Sequence, residues 1–274
     1  MTYCVGVKVD AGLVFLSDSR TNAGLDQIST FRKMMIYERP GDRFMVMLSA
    51  GNLSISQQVR EILQTEAIDA KSSSPPLTIW NATSMFDAAR VLGAAVRHVY
   101  AQDGEALEKS GFDFNASMIF GGQILGEPPR LFLMYSAGNF IEATRETPFF
   151  QIGESKYGKP VLDRMITPRT PLQQAAKCVL VSMDSTLKSN LTVGLPLDLC
   201  VYETNRLESQ QIVCVDDRNP YFQMIRNTWG EKLRQGFESI DDPEWGTASS
   251  KAPLIAPCRY EPMRKITDPS VKLV

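Results

Sequence analysis

Residues 1–9 read MTYCVGVKV, a methionine and a threonine that lead directly into a strand-like apolar run. Threonine is small enough to allow removal of the initiator Met1, and this processing would leave a free α-amino group beside the Thr2 hydroxyl. Such an amine can act as the base for the hydroxyl of its own residue. The reference pKa of an α-amino group, about 7.7–8.0, suits this role near neutral pH. The sequence therefore predicts Thr2 as a candidate nucleophile, and the alternative is an ordinary Met-Thr start.

A second stretch supplies two charged residues for the same site. The apolar run of residues 13–16 ends in Asp18, and Lys33 opens a further predicted strand. If the first three strands are adjacent, Thr2, Asp18 and Lys33 meet at one end of a sheet. Asp18 would then hold Lys33, and the ammonium group would lower the pKa of the N-terminal amine. The alternative is an exposed Asp-Lys ion pair, worth about 0–1 kcal/mol.

These residues carry a family resemblance. Thr2, residues 17–20 (SDSR), Lys33 and residues 49–52 (SAGN) together resemble proteasome β-type subunits and the bacterial peptidase HslV, which are N-terminal-nucleophile hydrolases. Residues 17–24, SDSRTNAG, resemble in particular Anbu, the bacterial ancestral β-subunit family. The resemblance extends over roughly residues 2–216.

The resemblance implies a threonine-type peptidase in which Thr2 is the nucleophile and the backbone N–H of Gly51 forms the oxyanion hole. It implies peptides or unfolded proteins as substrates, with no metal and no organic cofactor. It also implies self-association of identical subunits around a shared chamber. The sequence does not indicate the number of subunits or an ATPase partner.

The resemblance assigns two further residues. Ser155, in the stretch GESK, takes the position of the accessory serine that proteasomes carry in a Gly-Ser-Gly segment. Asp184 matches the aspartate of the proteasomal Arg-Asp-x-x-Ser-Gly-Gly segment, although Leu187 stands where that segment has its serine. Ser155 and Asp184 are therefore expected to support the hydrogen bonding of the N-terminal amine.

Apolar patterning predicts strands interleaved with pairs of helices, a layered α+β protein. The resemblance selects a four-layer αββα sandwich, with a β-type domain at 1–216 and a C-terminal helical and irregular extension at 217–274. The predicted strands are 2–9, 12–18, 33–38, 43–50, 113–124, 130–136, 148–152, 196–203 and 210–216, and the predicted helices are 54–67, 84 to 98 or slightly beyond, 156–165 and 171–187.

Composition narrows the class of protein. The formal net charge is −2, with 29 basic and 31 acidic residues, which does not suit a nucleic-acid partner. No apolar stretch is long enough for a membrane span, and no charged segment is followed by a long apolar one, so we expect no signal peptide. The five cysteines are widely spaced and fit reduced thiols, so we expect a cytoplasmic protein. His98 is the only histidine, so a histidine metal cluster has no support.

Two other functions remain open at this point. The chain would be a non-catalytic proteasome-like scaffold if Met1 stays on. Alternatively, the same nucleophile would serve a small-molecule amidase. Intact mass separates the scaffold from the enzymes, and profiling with peptides and small amides separates the two enzymes.

Overall fold

A computed structural model describes residues 2–22, 28–65 and 76–243 of the 274-residue chain. These residues form a mixed α and β structure with two five-stranded antiparallel sheets, a two-stranded ribbon and five helices. The elements in chain order are β1 Tyr3–Val9, β2 Gly12–Asp18, β3 Arg20–Asn22, β4 Ile28–Thr30, β5 Met34–Arg39, β6 Arg43–Gly51, α1 Leu53–Thr65, α2 Met85–Lys109, β7 Ala116–Ile124, β8 Arg130–Met134, β9 Phe140–Glu142, β10 Phe149–Gly153, α3 Ser155–Met165, α4 Leu172–Ser189, β11 Leu197–Glu203, β12 Gln211–Val215 and α5 Pro220–Glu238.

The first sheet has the strand order β10-β1-β2-β11-β12, and the second has the order β5-β6-β7-β8-β9. The ribbon pairs β3 with β4, which follow β2 and precede β5 along the chain. The start of β1 pairs with the end of β10, because Tyr3 lies opposite Gly153. The end of β2 pairs with the start of β11, because Asp18 lies opposite Leu197. The start of β1, the end of β2, the end of β10 and the start of β11 therefore lie side by side at one end of the first sheet.

The condition considered for the sequence, that the first three predicted strands are adjacent, is not met. The strand that follows Lys33 is β5, which pairs with β6 in the second sheet and not with β2 in the first. The sequence also failed to predict β3, β4 and β9, so that six strands and not four precede α1 in the described part of the chain. Each of these three strands has only three residues, too few to show an apolar alternation. The helix expected to end near residue 98 continues to Lys109.

Two apolar clusters of the described core lie between the sheets and beneath the first two helices. Phe15, Leu48 and Ile119 belong to the cluster shared by the two sheets. Helices α1 and α2 pack on the second sheet, with Val59 and Leu92 in the cluster beneath them. On the other side, α4 contacts β1, β2 and β11, and α3 contacts β10 and α4. Every residue of β2 is buried as a result, which explains its unbroken apolar run.

The chain divides into two compact units, Met1–Asn227 and Thr228–Val274, and α5 runs through the division. The predicted boundary at 216/217 stays a prediction, and residues 244–274 of the predicted extension lie outside the described residues. Among the described helices, none is both long and apolar enough to cross a membrane.

Candidate active site

The Asp18 carboxylate organises the end of β2. Its Oδ1 accepts a hydrogen bond from Lys33 Nζ at 2.7 Å and another from the Tyr3 N–H at 3.0 Å. The Asp18 side chain is fully buried, and the Lys33 side chain is only 7% exposed. Lys33 Nζ also donates to the Arg20 carbonyl at 2.6 Å. The contact between Asp18 and Lys33 is thus a buried ion pair, and the alternative of an exposed surface pair is wrong.

Electrostatics at Asp18 reflect this burial. Removal from water raises the pKa of the Asp18 carboxyl above its ordinary value. The Lys33 ammonium lowers the pKa of the same carboxyl, and so do the backbone N–H groups of Tyr3 and Gly194. The positive charge of Lys33 is therefore paired with a buried carboxylate whose Oδ1 also accepts the Tyr3 N–H, whereas its Oδ2 has no hydrogen-bond partner among the described residues.

Thr2 is held through its backbone at the start of β1. Its carbonyl oxygen accepts a hydrogen bond from the Glu154 N–H at 2.7 Å, and the next N–H along the chain is bonded to Asp18. Gly153, opposite Tyr3 in the register, has a φ of +79°, and a Cβ there would clash with the Thr2 carbonyl oxygen. Only glycine combines this backbone conformation with this close approach.

Gly51 is the last residue of β6 and lines the same cavity as Thr2. Its φ is +109°, and a Cβ at this position would clash with the Asn115 carbonyl oxygen. The Asn52 N–H donates to that carbonyl at 2.8 Å, which fixes the turn from β6 into α1. The Ser49 N–H donates to the Lys33 carbonyl at 3.1 Å, so the end of β6 also positions the backbone of Lys33.

A cavity of about 410 Å³ lies where these strand ends meet. Three of the six predicted site residues line it: Thr2, Lys33 and Gly51. Asp18 lies behind Lys33 and is in contact with its ammonium group. The complete lining is Thr2, Arg20, Lys33, Ser49, Ala50, Gly51, Leu53, Ser56, Asn115, Ser117 and Gly153.

The other two predicted residues do not line this cavity. Ser155 is the first residue of α3, two positions after Gly153, and its carbonyl accepts from Gln151 Nε2 at 3.2 Å. Asp184 lies on α4, where its Oδ1 is 3.7 Å from Arg226 Nε. Burial raises the pKa of the Asp184 carboxyl, and Arg226 lowers it. The supporting roles of Ser155 and Asp184 stay predictions.

A second ion pair fixes the turn before β5. Arg32 pairs with Asp198 of β11, whose side chain is 7% exposed. Because Arg32 directly precedes Lys33, this pair ties the approach to β5 to the first sheet. The site thus has two carboxylate anchors, Asp18 and Asp198, on neighbouring strands.

The sequence did not assign Arg20, Asn115 or Gly153 to the site. Arg20 and Gly153 lie within stretches that carried the resemblance, so their positions were available although no role was given to them. Asn115 offers no such signal, because it is a loop residue that reaches the cavity only through the pairing of β6 with β7.

Comparison with known proteins adds structural relatives. No protein-family model matches the chain, and no curated protein matches it. A solved structure of an Anbu (Gly-1) mutant from Hyphomicrobium sp. strain MC1 is 45% identical, with a TM-score of 0.81 over 88% of this chain and 99% of the other. Anbu (ancestral beta-subunit) from Yersinia bercovieri is 47% identical, with a TM-score of 0.80 over 89% and 100%. The helical assembly of the Anbu complex from Pseudomonas aeruginosa is 46% identical, with a TM-score of 0.80 over 88% and 98%.

Proposed function

Because the chain belongs to the Anbu family of proteasome-like ancestral β-subunits, we propose that it is a threonine-type peptidase that hydrolyses peptide bonds through Thr2 after removal of Met1. The observation that carries the proposal is the convergence of Thr2, Lys33 and Gly51 on one cavity, with Asp18 bonded to Lys33. A buried ion pair next to a candidate nucleophile in a cleft is typical of a catalytic site.

In the proposed reaction, Thr2 Oγ attacks the substrate carbonyl while the Thr2 amine takes the hydroxyl proton, directly or through water. The carbonyl becomes a tetrahedral oxyanion, which the Gly51 N–H stabilises; removal of one such donor costs typically about 2.7–4 kcal/mol. The C–N bond then breaks as the amine returns a proton to the leaving group, and an ester to Thr2 remains. Water attacks this ester and releases the acid product.

Lys33 and Asp18 adjust the pKa of the Thr2 amine, which is the base of this reaction. A positive charge close to the Thr2 amine lowers its pKa and leaves more free base at neutral pH. Asp18 keeps Lys33 in place and also holds the Tyr3 N–H, so it fixes the charge relative to the first peptide unit. Ser155 and Asp184 would support the hydrogen bonding of the amine, as the resemblance implies.

We propose an assembly of identical subunits that act on peptides or unfolded proteins. A helical assembly has been solved for the Pseudomonas aeruginosa relative, which is 46% identical to this chain. The packing of α1 and α2 on one sheet and of α3 and α4 on the other supports the predicted four-layer αββα order. The free thiols Cys4, Cys178, Cys200 and Cys214 support a cytoplasmic location.

The test begins with the mass of the mature chain, which should lack Met1. Cleavage of a peptide library should then be lost in Thr2→Ala, while assembly and melting temperature stay close to the parent. Full retention of Met1 with an inactive protein would favour the scaffold, since an acylated amine is no base. Thr2-dependent hydrolysis of small amides without cleavage of peptides would favour the amidase. Unchanged turnover by Thr2→Ala would move the active site elsewhere.

A further inference from the structure

The charges around the candidate cavity do not balance. Among the described lining residues, Arg20 and Lys33 are cationic and none is acidic. Lys33 is neutralised by the buried carboxylate of Asp18. Arg20 has no carboxylate partner among the residues that the structure describes. Within the described part of the chain, the cavity that contains the candidate nucleophile therefore has one guanidinium charge without a carboxylate partner.

Arg20 is held in a defined position. Its Nη1 donates to the Leu191 carbonyl at 3.1 Å, and its guanidinium lies so close to Gly194 that a Cβ there would clash with it. Its Nε is buried without a hydrogen-bond partner. A guanidinium has five N–H donors, and the contact with Leu191 is the only hydrogen bond that this side chain donates to the described residues. An anion in the cavity would therefore contact a guanidinium whose position is already fixed by the protein.

The rest of the lining does not favour a large apolar group. Ser49, Ser56, Ser117 and Asn115 are small and polar, and Leu53 is the only large apolar side chain among the described lining residues. Pockets that bind bulky apolar side chains are lined mainly by apolar and aromatic groups. A cavity that carries several small polar side chains, and a guanidinium with no carboxylate partner among the described residues, is instead suited to a carboxylate.

We propose that Arg20 selects substrates that carry a carboxylate next to the scissile bond. This inference rests on the proposed function, because it assumes that Thr2 is the nucleophile. Thr2 and Arg20 line the same cavity of about 410 Å³, so a carboxylate on a residue adjoining the scissile carbonyl fits this space. Two sources meet this requirement: an acidic side chain on the acyl side, or the free α-carboxylate of a C-terminal residue on the leaving side.

The experiment compares matched peptides on the assembled protein. In the first series, the residue on the acyl side of the scissile bond is Glu, Gln or Leu, and the leaving amine is neutral. In the second series, the residue on the acyl side is always Gln, and the peptide ends one residue after the scissile bond in either a free or an amidated C-terminus. We expect at least one carboxylate to raise kcat/KM by about tenfold or more over its neutral partner, the usual size of a hydrogen-bonded charge contact. A preference in one series only identifies the source of the carboxylate.

Three variants assign any preference to Arg20. Arg20→Gln should remove the carboxylate preference, and Arg20→Lys should retain part of it, because the charge is kept. Arg145→Gln is the matched control: it removes one arginine charge next to Asp10, at the far end of β1 from Thr2. Circular dichroism and thermal melting establish that each variant is folded. An equal preference in the parent and Arg20→Gln, or an equal loss in Arg145→Gln, would overturn the inference.

A binding measurement separates this inference from the proposed function. Fluorescent Glu and Gln peptides are titrated into the Thr2→Ala variant, with and without Arg20→Gln, and anisotropy gives the two dissociation constants. If the parent cleaves nothing but Glu binds more tightly in an Arg20-dependent manner, the carboxylate site stands and the peptidase proposal fails. If the parent cleaves through Thr2 but binds and cleaves the Glu and Gln peptides equally well, the peptidase proposal stands and Arg20 has only a structural role.

Discussion

Asp18→Asn is expected to lower the free energy of unfolding by about 3–5 kcal/mol, because it leaves the Lys33 ammonium buried without its counter-charge. The substitution preserves the side-chain size and an oxygen that can accept the Tyr3 N–H, so the lost quantity is mainly charge. The parent contact is short, at 2.7 Å, and the side chains are 0% and 7% exposed. The pair is therefore largely shielded from solvent, which would replace the carboxylate poorly.

Urea unfolding followed by circular dichroism measures this difference, with parent and variant at the same protein concentration. A loss of this size corresponds to a fall in melting temperature of roughly 6–20 °C for a region of 150–250 residues. The matched control is Asp10→Asn, which breaks an ion pair with Arg145 whose side chains are 51% and 66% exposed. That pair should contribute only about 0–1 kcal/mol.

A double-mutant cycle isolates the pair itself. Lys33→Met removes the ammonium group, so combining it with Asp18→Asn removes both charges together. The double variant should be destabilised by less than the sum of the two single variants, since no unpaired buried charge remains. If Asp18→Asn costs no more than Asp10→Asn, or if the two single effects simply add, the buried pair does not organise the site and the reasoning fails.

Lys33→Ala should shift the acid limb of the pH–rate profile to higher pH, because loss of the nearby positive charge raises the pKa of the N-terminal amine; full activity with an unshifted profile would refute this. Gly153→Ala should greatly reduce turnover because its Cβ clashes with the nucleophile's own carbonyl, whereas Gly41→Ala, at a φ of +77° with open space around it, shares only the backbone strain; steady-state assays and melting curves should separate the two, and equal losses would contradict the clash. Iodoacetamide at pH 8 should modify exposed Cys214 before Cys178, whose thiol pKa is raised to about 11 by burial; peptide mapping should show the Cys178 rate increasing toward pH 11, and equal labelling at pH 8 would contradict this.

Features that depend on residues close together in the sequence could be predicted, whereas features that depend on contacts between distant parts of the chain could not. Long apolar runs such as those of β2 and β6 were located within one or two residues, because burial on both faces leaves a local pattern. The partner of a strand leaves no such pattern. For the strand after Lys33, adjacency to β2 could only be assumed as a condition, and the strand pairs with β6 in the other sheet.

The same distinction applies to the site. Thr2, Asp18 and Lys33 were identified from their chemistry and order along the chain, and their convergence was made conditional on an adjacency of strands that the structure does not have. Lys33 reaches Asp18 from the other sheet, across the space between the sheets, and not along a row of neighbouring strands. Asn115 reaches the cavity only because β7 pairs with β6, a contact that no local pattern encodes.

Antiparallel strand pairing positions several residues of the proposed active site through their backbone. β1 begins where β2 and β10 end, and Gly51, the last residue of β6, lies opposite the start of β7. Thr2, Gly153 and Gly51 are consequently fixed by register and by positive φ angles at the two glycines, which leaves little freedom for substitution. The serines and Arg20 that complete the cavity contribute through their side chains. Substrate preference can therefore be changed at those side chains while the strand ends that hold the nucleophile keep their geometry.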